Sequence, residues 1–155
     1  MSNQLDPLGL NINLNAVDTS RPVLASGTWP MEVKSIEIQE NKAKNGRNLV
    51  VMFALANTAT SVKAAEEGRS GDLNPGYTLT KYYPLQQSEH PKAPDFRVDI
   101  ARLIDAAFGT SQGSRPTLNE ALAQIQGKVV AVRTKVRTSE EYGDQAEIAG
   151  IAAVR

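Results

Sequence analysis

The sequence predicts a mainly β protein with two helices: a five-stranded Greek-key barrel, with the helices between strands 3 and 4 and an extra N-terminal strand or arm. Five stretches rich in β-branched and aromatic residues have the length and turn-forming boundaries of strands. Two further stretches place apolar residues at helical spacing, and both lie between the third and fourth strand-like stretches. The 155 residues are enough for one domain with its own core.

Residues 1–26 are predicted to form an arm or a short strand ahead of the barrel domain, which is predicted to span 27–155. Apolar residues of the arm alternate at Leu8, Leu10, Ile12 and Leu14. The turn-forming sequence DTSRP then breaks the pattern.

The first barrel strand, 28–38, changes the parity of its apolar residues partway along. The residues are Met31 and Val33 on one parity, then Ile36 and Ile38 on the other. An extra residue in the strand produces such a change and bends the strand strongly, so we expect a β-bulge near Lys34 and Ser35.

The next three elements follow closely along the chain. The pair NG at 45–46 favours a tight hairpin turn, because both residue types tolerate positive φ. Strand 48–55 is apolar on both parities, which is typical of a central strand. A long loop over 57–76, with a helical turn around 62–67, then leads to a Tyr- and Thr-rich strand at 77–83.

The sequence leaves open which face of strand 77–83 is buried. If Leu79 lies inside, Lys81 and Tyr83 lie inside with it, which a lysine resists unless the strand is ending. The alternative buries the residues of the other parity, Tyr82 among them. Because the two tyrosines are adjacent, only one of them can join a given stacking surface.

Each helix has a single apolar stripe, which places it outside the barrel or across its bottom. The first stripe covers 96–107 and ends at Gly109. The second helix opens with a capping box, Thr117 to Glu120, and is predicted to stop at Gly127. With strands at 127–137 and 146–154, the order β-β-β-α-β-β is that of an OB-fold. An SH3-like barrel leaves little place for two helices at this point.

Cations are grouped, although the chain has 17 basic and 17 acidic residues and no net charge. In strand 127–137, valines line one face, and the other face carries Arg133, Lys135 and Arg137. A second group crowds the first hairpin at Lys42, Lys44 and Arg47. Neutral overall charge counts against nucleic-acid binding, unless such local groups of cations supply the positive electrostatic field that nucleic acid needs. The alternative role of these cations is a solvated strand face whose charges pair with acids on neighbouring strands.

Several stretches resemble small phage-encoded single-stranded-DNA-binding proteins with OB-folds. They are GTWPMEVKSIEIQENKAKNGRNLVVMFAL, the Tyr-rich strand, the helix ending LIDAAFG, and LAQIQGKVVAVRTKVR before a short last strand. The resemblance covers residue 27 to the end of the sequence. It implies sequence-independent binding of single-stranded DNA in phage replication or recombination, within the host cell cytoplasm. The ending IAGIAAVR has no acidic tail, which puts in doubt the recruitment of replication proteins through the C-terminus.

Such a groove would bind DNA through cations along the phosphates and rings that stack on bases. The residues expected to contact the DNA are Trp29, Lys34, Lys42, Lys44, Arg47, Lys81, Tyr82, Tyr83, Arg133, Lys135, Arg137 and Tyr142. Trp29 has the parity of Met31, so it either packs in the core or stacks. Tyr142, in the last hairpin turn, either closes over the ligand or caps the barrel rim.

Enzyme chemistry, a cofactor and a metal site are not expected. The only histidine, His90, lies in a Pro-flanked loop, and the absence of cysteine excludes disulfides, thiolate zinc sites and cysteine nucleophiles. No apolar run reaches membrane-spanning length and no signal peptide is evident, so we expect a cytoplasmic protein with no membrane partner.

The alternative function is that of a small β-barrel structural or protein-interaction module that does not bind nucleic acid. Barrel folds serve many purposes, and aromatic residues make up only 5% of the chain, which favours this alternative. For either function we expect a homodimer, in which the arm adds a strand to a neighbour's sheet edge. If the chain binds DNA, replication or recombination proteins of the phage are further candidate partners.

Overall fold

The computed structural model describes residues 10–16, 22–40, 46–141 and 143–154, and it shows a mainly β chain with one five-stranded antiparallel sheet and three short helices. The strands are β1 Gly27–Glu40, β2 Arg47–Leu55, β3 Thr78–Pro84, β4 Val129–Ser139 and β5 Gly143–Ala153. The helices are α1 Val62–Glu66, α2 Arg97–Phe108 and α3 Leu118–Leu122. The predicted element order is confirmed, with α2 and α3 between β3 and β4 and with the helical turn in the long loop seen as α1.

Strand β1 is the centre of the sheet, whose order is β3-β2-β1-β4-β5. The first part of β1 pairs with β4, from Gly27 opposite Thr134, and its later part pairs with β2, as far as Glu40 opposite Arg47. The register with β2 shifts between Val33 and Ser35, so the predicted bulge is confirmed. A bulge increases strand twist, which lets one long strand serve two partners.

The sheet is not closed into a barrel in the described residues, so the predicted Greek-key barrel is not confirmed. Strands β3 and β5 are its two edges, and each pairs with one neighbour only. The successive antiparallel pairings make β3 and β5 run in the same direction. Helix α2 packs along β5, and residues of the loop that contains α1 lie between the starts of the two edge strands.

The core lies on one face of the sheet and is completed by the helices. Alternate residues of the central strands are fully buried there, among them Met31, Val33, Leu49, Val51, Phe53, Val130 and Val132. The stripe of α2 covers them with Ile100, Leu103 and Ile104. In β2 the opposite parity is also largely buried at Val50 and Ala54, as its two-sided apolar pattern predicts.

The helix ends follow the predicted signals in two of three cases. Gly109 ends α2 in the left-handed region at φ 67°, and the Thr117 side chain accepts a hydrogen bond from the Glu120 amide at the start of α3. The predicted stop of the second helix at Gly127 is wrong, because α3 ends at Leu122. The chain turns there so that Ile125 enters the core.

The described part of the arm, residues 10–16, contains a single 3₁₀ turn at Leu14–Ala16, so of the two predicted alternatives, an arm or a strand, these residues do not show the strand. Its apolar side chains are exposed by 71% at Leu10, 64% at Ile12 and 75% at Leu14. Residues 1–9, including Leu8, lie outside the described residues.

Among the described residues, no helix is long enough and apolar enough to cross a membrane.

Asp105 ties α2 to the loop before α3. Its carboxylate accepts hydrogen bonds from Nε and Nη2 of Arg115, at 2.9 and 2.8 Å, and from the Thr110 hydroxyl at 2.8 Å. The Arg115 guanidinium lowers the pKa of Asp105. Because the pKa in the folded state lies below that in the unfolded state, these contacts stabilise the fold above about pH 4 and lose their effect as the pH falls further.

Replacing Asp105 by asparagine is therefore expected to lower the free energy of unfolding at pH 7 by roughly 1–2 kcal/mol, a discounted value for a partly exposed site. The difference from the unchanged protein should shrink below about pH 4. Urea unfolding from pH 7 to pH 3 measures both effects. Asp99→Asn, at a more exposed pair 3.5 Å from Arg102, is the control and should change little. An Asp105→Asn effect that is equal at every pH would contradict the assignment.

Candidate nucleic-acid interface

Strand β4 presents Arg133, Lys135 and Arg137 in one row on the face of the sheet opposite the core, here called the outer face. All three residues are exposed, while the alternating Val132 and Thr134 are buried. The alternation of a strand therefore places the three cations where the sequence pattern puts them.

Arg133 reaches sideways across β5. Its Nη2 donates a hydrogen bond to the Ala149 carbonyl at 3.3 Å, beside the point where the β4–β5 register shifts. Gly150 lies directly opposite, and a Cβ there would stand 3.4 Å from the same nitrogen. The charge of Arg133 stays at the surface, although one edge of the guanidinium has this structural contact.

Lys135 and Arg137 have different neighbours on β5. Lys135 stands opposite Glu147, and Arg137 stands opposite Gln145. The four ion pairs among the described residues involve other cations, namely Arg69, Arg97, Arg102 and Arg115. Among the described residues, the β4 row therefore has no ion pair within 4.0 Å, although Glu147 is the cross-strand neighbour of Lys135.

Arg47, the described member of the second basic group, lies at the other end of the sheet. Arg47 begins β2 opposite Glu40, whereas Arg133 stands opposite Thr28, twelve positions earlier on β1. Arg47 and Arg133 are thus separated by about 40 Å of strand. Lys42 and Lys44 lie outside the described residues. The structure therefore does not bring Arg47 next to the β4 row.

Lys34 lies between these two ends. It is exposed at the bulge of β1, where Val33 pairs with Phe53 and Ser35 pairs with Met52. Two acids, Glu32 and Glu37, share the outer face of β1, so the face is mixed in charge between its basic ends.

The structure shows which face of strand β3 is buried. Tyr83 is 2% exposed and packs in the core, whereas Tyr82 is 60% exposed on the outer face opposite Val50. Lys81 is half-buried on the core side, and its Nζ lies 5.2 Å from the centre of the Tyr83 ring. A cation–π contact of this kind lets the lysine remain on that side in the middle of the strand.

The Tyr83 hydroxyl is buried, and among the described residues it has no hydrogen-bond partner. Burial and the negative charge of Asp99 raise the pKa of Tyr83 far above its ordinary value. The ring is therefore a neutral core residue and is not available to stack on a base. Tyr82 is the exposed member of the pair.

Trp29 is half-buried against the core. Its indole N–H donates to the Ala25 carbonyl at 3.1 Å and to the Thr134 hydroxyl at 3.2 Å, and Thr134 itself donates to the same carbonyl. These bonds hold the ring at the start of β1 and favour its packing role. Tyr142 lies outside the described residues.

A cleft of about 900 Å³ lies between the starts of β3 and β5, and sequence reasoning did not predict it. One side contains Tyr77 and Leu79 of the β3 region, the other contains residues 143–146 of β5, and the loop that contains α1 forms its floor. The charged lining residues are Lys63, Glu66, Arg69, Asp72 and Asp144. A sequence signal for it is lacking, because the cleft depends on the two edge strands failing to pair.

In the described part of the chain, His, Asp and Glu side chains form no group of three that could hold a metal ion. Comparison with known proteins adds no relative. No protein-family model matches the chain, and no curated protein shows significant similarity to it.

Proposed function

We propose that this chain is a sequence-independent single-stranded-DNA-binding protein that uses the outer face of an open OB-type sheet. The observation that carries the proposal is the row of exposed cations at Arg133, Lys135 and Arg137, which has no ion pair among the described residues. Phosphates of a single strand are the polyanion that such a row fits.

The arrangement of the sheet supports an OB-type fold. Its order, β3-β2-β1-β4-β5, its bulged first strand and its helices between β3 and β4 agree with the order expected of that fold. OB-folds are partly open Greek-key barrels, so the unpaired edges of β3 and β5 are compatible with one.

The outer face offers both parts of a single-strand site. Tyr82 supplies an exposed ring for stacking, at the level of Glu37 on β1, and Arg133 lies at the level of Thr28. The path from the β4 row past Lys34 to Tyr82 is about 30 Å, which is compatible with the 4–16 nucleotides that one OB-fold covers. Duplex DNA keeps its bases stacked inside, so Tyr82 would favour a single strand.

The biological role that we propose is phage replication or recombination, in the cytoplasm of the host. Proteins of this kind bind exposed single strands without reading their sequence. The support for this role is the resemblance of the strand and hairpin sequences described above, together with the exposed cations.

Fluorescence anisotropy with labelled oligo(dT), with unlabelled duplex of equal length as competitor, tests the function across a salt series. We expect salt-dependent binding of the oligonucleotide that the duplex does not displace. An oligonucleotide that does not bind at low salt would rule the function out and leave the protein-interaction module as the remaining proposal.

A further inference from the structure

Two features of the fold are not used by DNA binding on the outer face. One is the cleft between the starts of β3 and β5. The other is the arm, whose alternating Leu10, Ile12 and Leu14 are all more than 60% exposed. Aliphatic side chains at alternate positions give an extended segment one apolar face, and Ile12 and Leu14 leave that face exposed to solvent.

We propose that the arm of one chain docks as an extended strand in the β3–β5 cleft of a second copy, so that two chains exchange arms. Reciprocal exchange gives a closed two-fold dimer in which both clefts are filled. The proposal does not depend on DNA binding.

The cleft has the backbone chemistry that an extended segment needs. Among the described strands, β3 pairs only with β2 and β5 pairs only with β4, so each has one edge free to form a ladder. Both edge strands run in the same direction, so one inserted strand can lie antiparallel to both. Main-chain hydrogen bonds to such an edge supply affinity, and pockets for alternate side chains supply specificity.

The size of the cleft limits the docked segment to a few residues. Residues of β3 and β5 come within 8 Å between Cα atoms, which is narrower than the roughly 10 Å that an inserted strand needs. The cleft, which has a volume of about 900 Å³, is the wider end of this space and lies at the starts of both strands. This volume is at the upper end of the range for pockets that hold small organic ligands, about 300–1,000 Å³. The tripeptide of residues 12–14 is about the size of such a ligand.

The side chains of the arm and those that line the cleft are compatible in charge and in apolar character. The arm carries no charge from Leu10 to Ala16, and its polar residues are asparagines that alternate with the aliphatic ones. Leu79 and Ala146 line the cleft and are half-buried against the core, so they offer an apolar contact to Ile12 and Leu14. The charged residues of the lining include both signs, Lys63 and Arg69 with three acids, which suits a neutral segment better than a polyanion.

The arm also starts from the right place. Pro22 and Val23, the first described residues after it, line the same cleft, and the Val23 carbonyl accepts a hydrogen bond from the Val62 amide at 2.7 Å. In the single chain, Ile12 and Leu14 nevertheless remain exposed. A second copy whose cleft faces this one therefore provides the partner.

Light scattering after size exclusion, without DNA, tests the proposal on the full chain. We expect a mass of twice 16.7 kDa. The variant Ile12→Asn with Leu14→Asn should raise the dissociation constant of the dimer at least about 100-fold and give a monomer at micromolar concentration. Asn13→Ser, on the polar side of the same arm, should remain dimeric. A monomeric unchanged protein, or a double variant that still dimerises, would overturn the proposal.

Cysteine crosslinking tests the site and the exchange directly, because the chain has no cysteine of its own. A chain with Leu14→Cys is mixed with a differently tagged chain that carries Gln145→Cys, and the mixture is oxidised. We expect a disulfide between the two different chains, identified by mass spectrometry. With both substitutions in one chain at high dilution, a disulfide within that chain would show that the arm fills its own cleft and would overturn the exchange. Failure of the mixed pair to crosslink would exclude the cleft.

Discussion

Replacing Tyr82 by alanine is expected to weaken binding of single-stranded DNA by about 5- to 150-fold, because stacking of one base on an aromatic ring contributes about 1–3 kcal/mol. Tyr82 is 60% exposed on the outer face, so its loss should barely change the free energy of unfolding. Anisotropy with labelled oligo(dT) measures the affinity, and urea unfolding measures the stability of the same variant.

The adjacent tyrosine provides a matched control for this prediction. Tyr83→Phe removes a buried hydroxyl that has no partner among the described residues, so it should leave DNA affinity unchanged and leave stability equal or raise it by about 1 kcal/mol. If Tyr82→Ala kept full affinity, or if both variants weakened binding equally, the outer face of β3 would not be the stacking surface.

Replacing Arg133 and Lys135 together by alanine is expected to weaken binding roughly 10-fold or more at physiological salt. It should also flatten the salt dependence by about 1.4 in the slope of log affinity against log salt, at about 0.7 per phosphate contact. Both residues are exposed in the β4 row, and their removal lowers the number of counterions that are released on binding. An affinity series from 50 to 500 mM salt, roughly the range over which such binding is lost, measures the slope.

The control for the β4 row changes the net charge by the same amount elsewhere. Lys92 and Arg102 are exposed cations, in the loop before α2 and on α2 itself, and their double alanine variant should keep the salt slope. Because Arg133 also donates to the Ala149 carbonyl, unfolding of the β4 variant must be measured as well. An unchanged slope in a folded β4 variant would remove the row from the DNA site.

Local patterns of the sequence were sufficient to predict the elements. The parity change between Val33 and Ile36 located the bulge, because the side-chain period of a strand is two and only an extra residue shifts it. The same period predicted that Arg133, Lys135 and Arg137 share an exposed face of β4. Capping and glycine signals located the start of α3 and the end of α2, since the unpaired backbone groups at helix ends require them.

Burial in strand β3 was decided by neighbours that are distant in the sequence. Each parity of 77–83 combines tyrosine with polar residues, so periodicity could not choose between them. Pairing with β2 placed Tyr83 opposite Leu49, on the side where the core residues lie, and the neighbouring ring made a half-buried Lys81 acceptable. The hydrogen bonds of Trp29 to Ala25 and Thr134 likewise joined segments that no local pattern connects.

The sequence by itself determined the order of strands and helices, the bulge and the row of cations, because each depends on the period of one element. Only the tertiary structure decided that the sheet stays open, that Arg47 lies at the far end from Arg133, and that a cleft separates β3 from β5. These features depend on which strands pair and on what packs between them. Such contacts join residues far apart in the chain, and the periodicity of one strand or helix, two or 3.6 residues, does not reveal them.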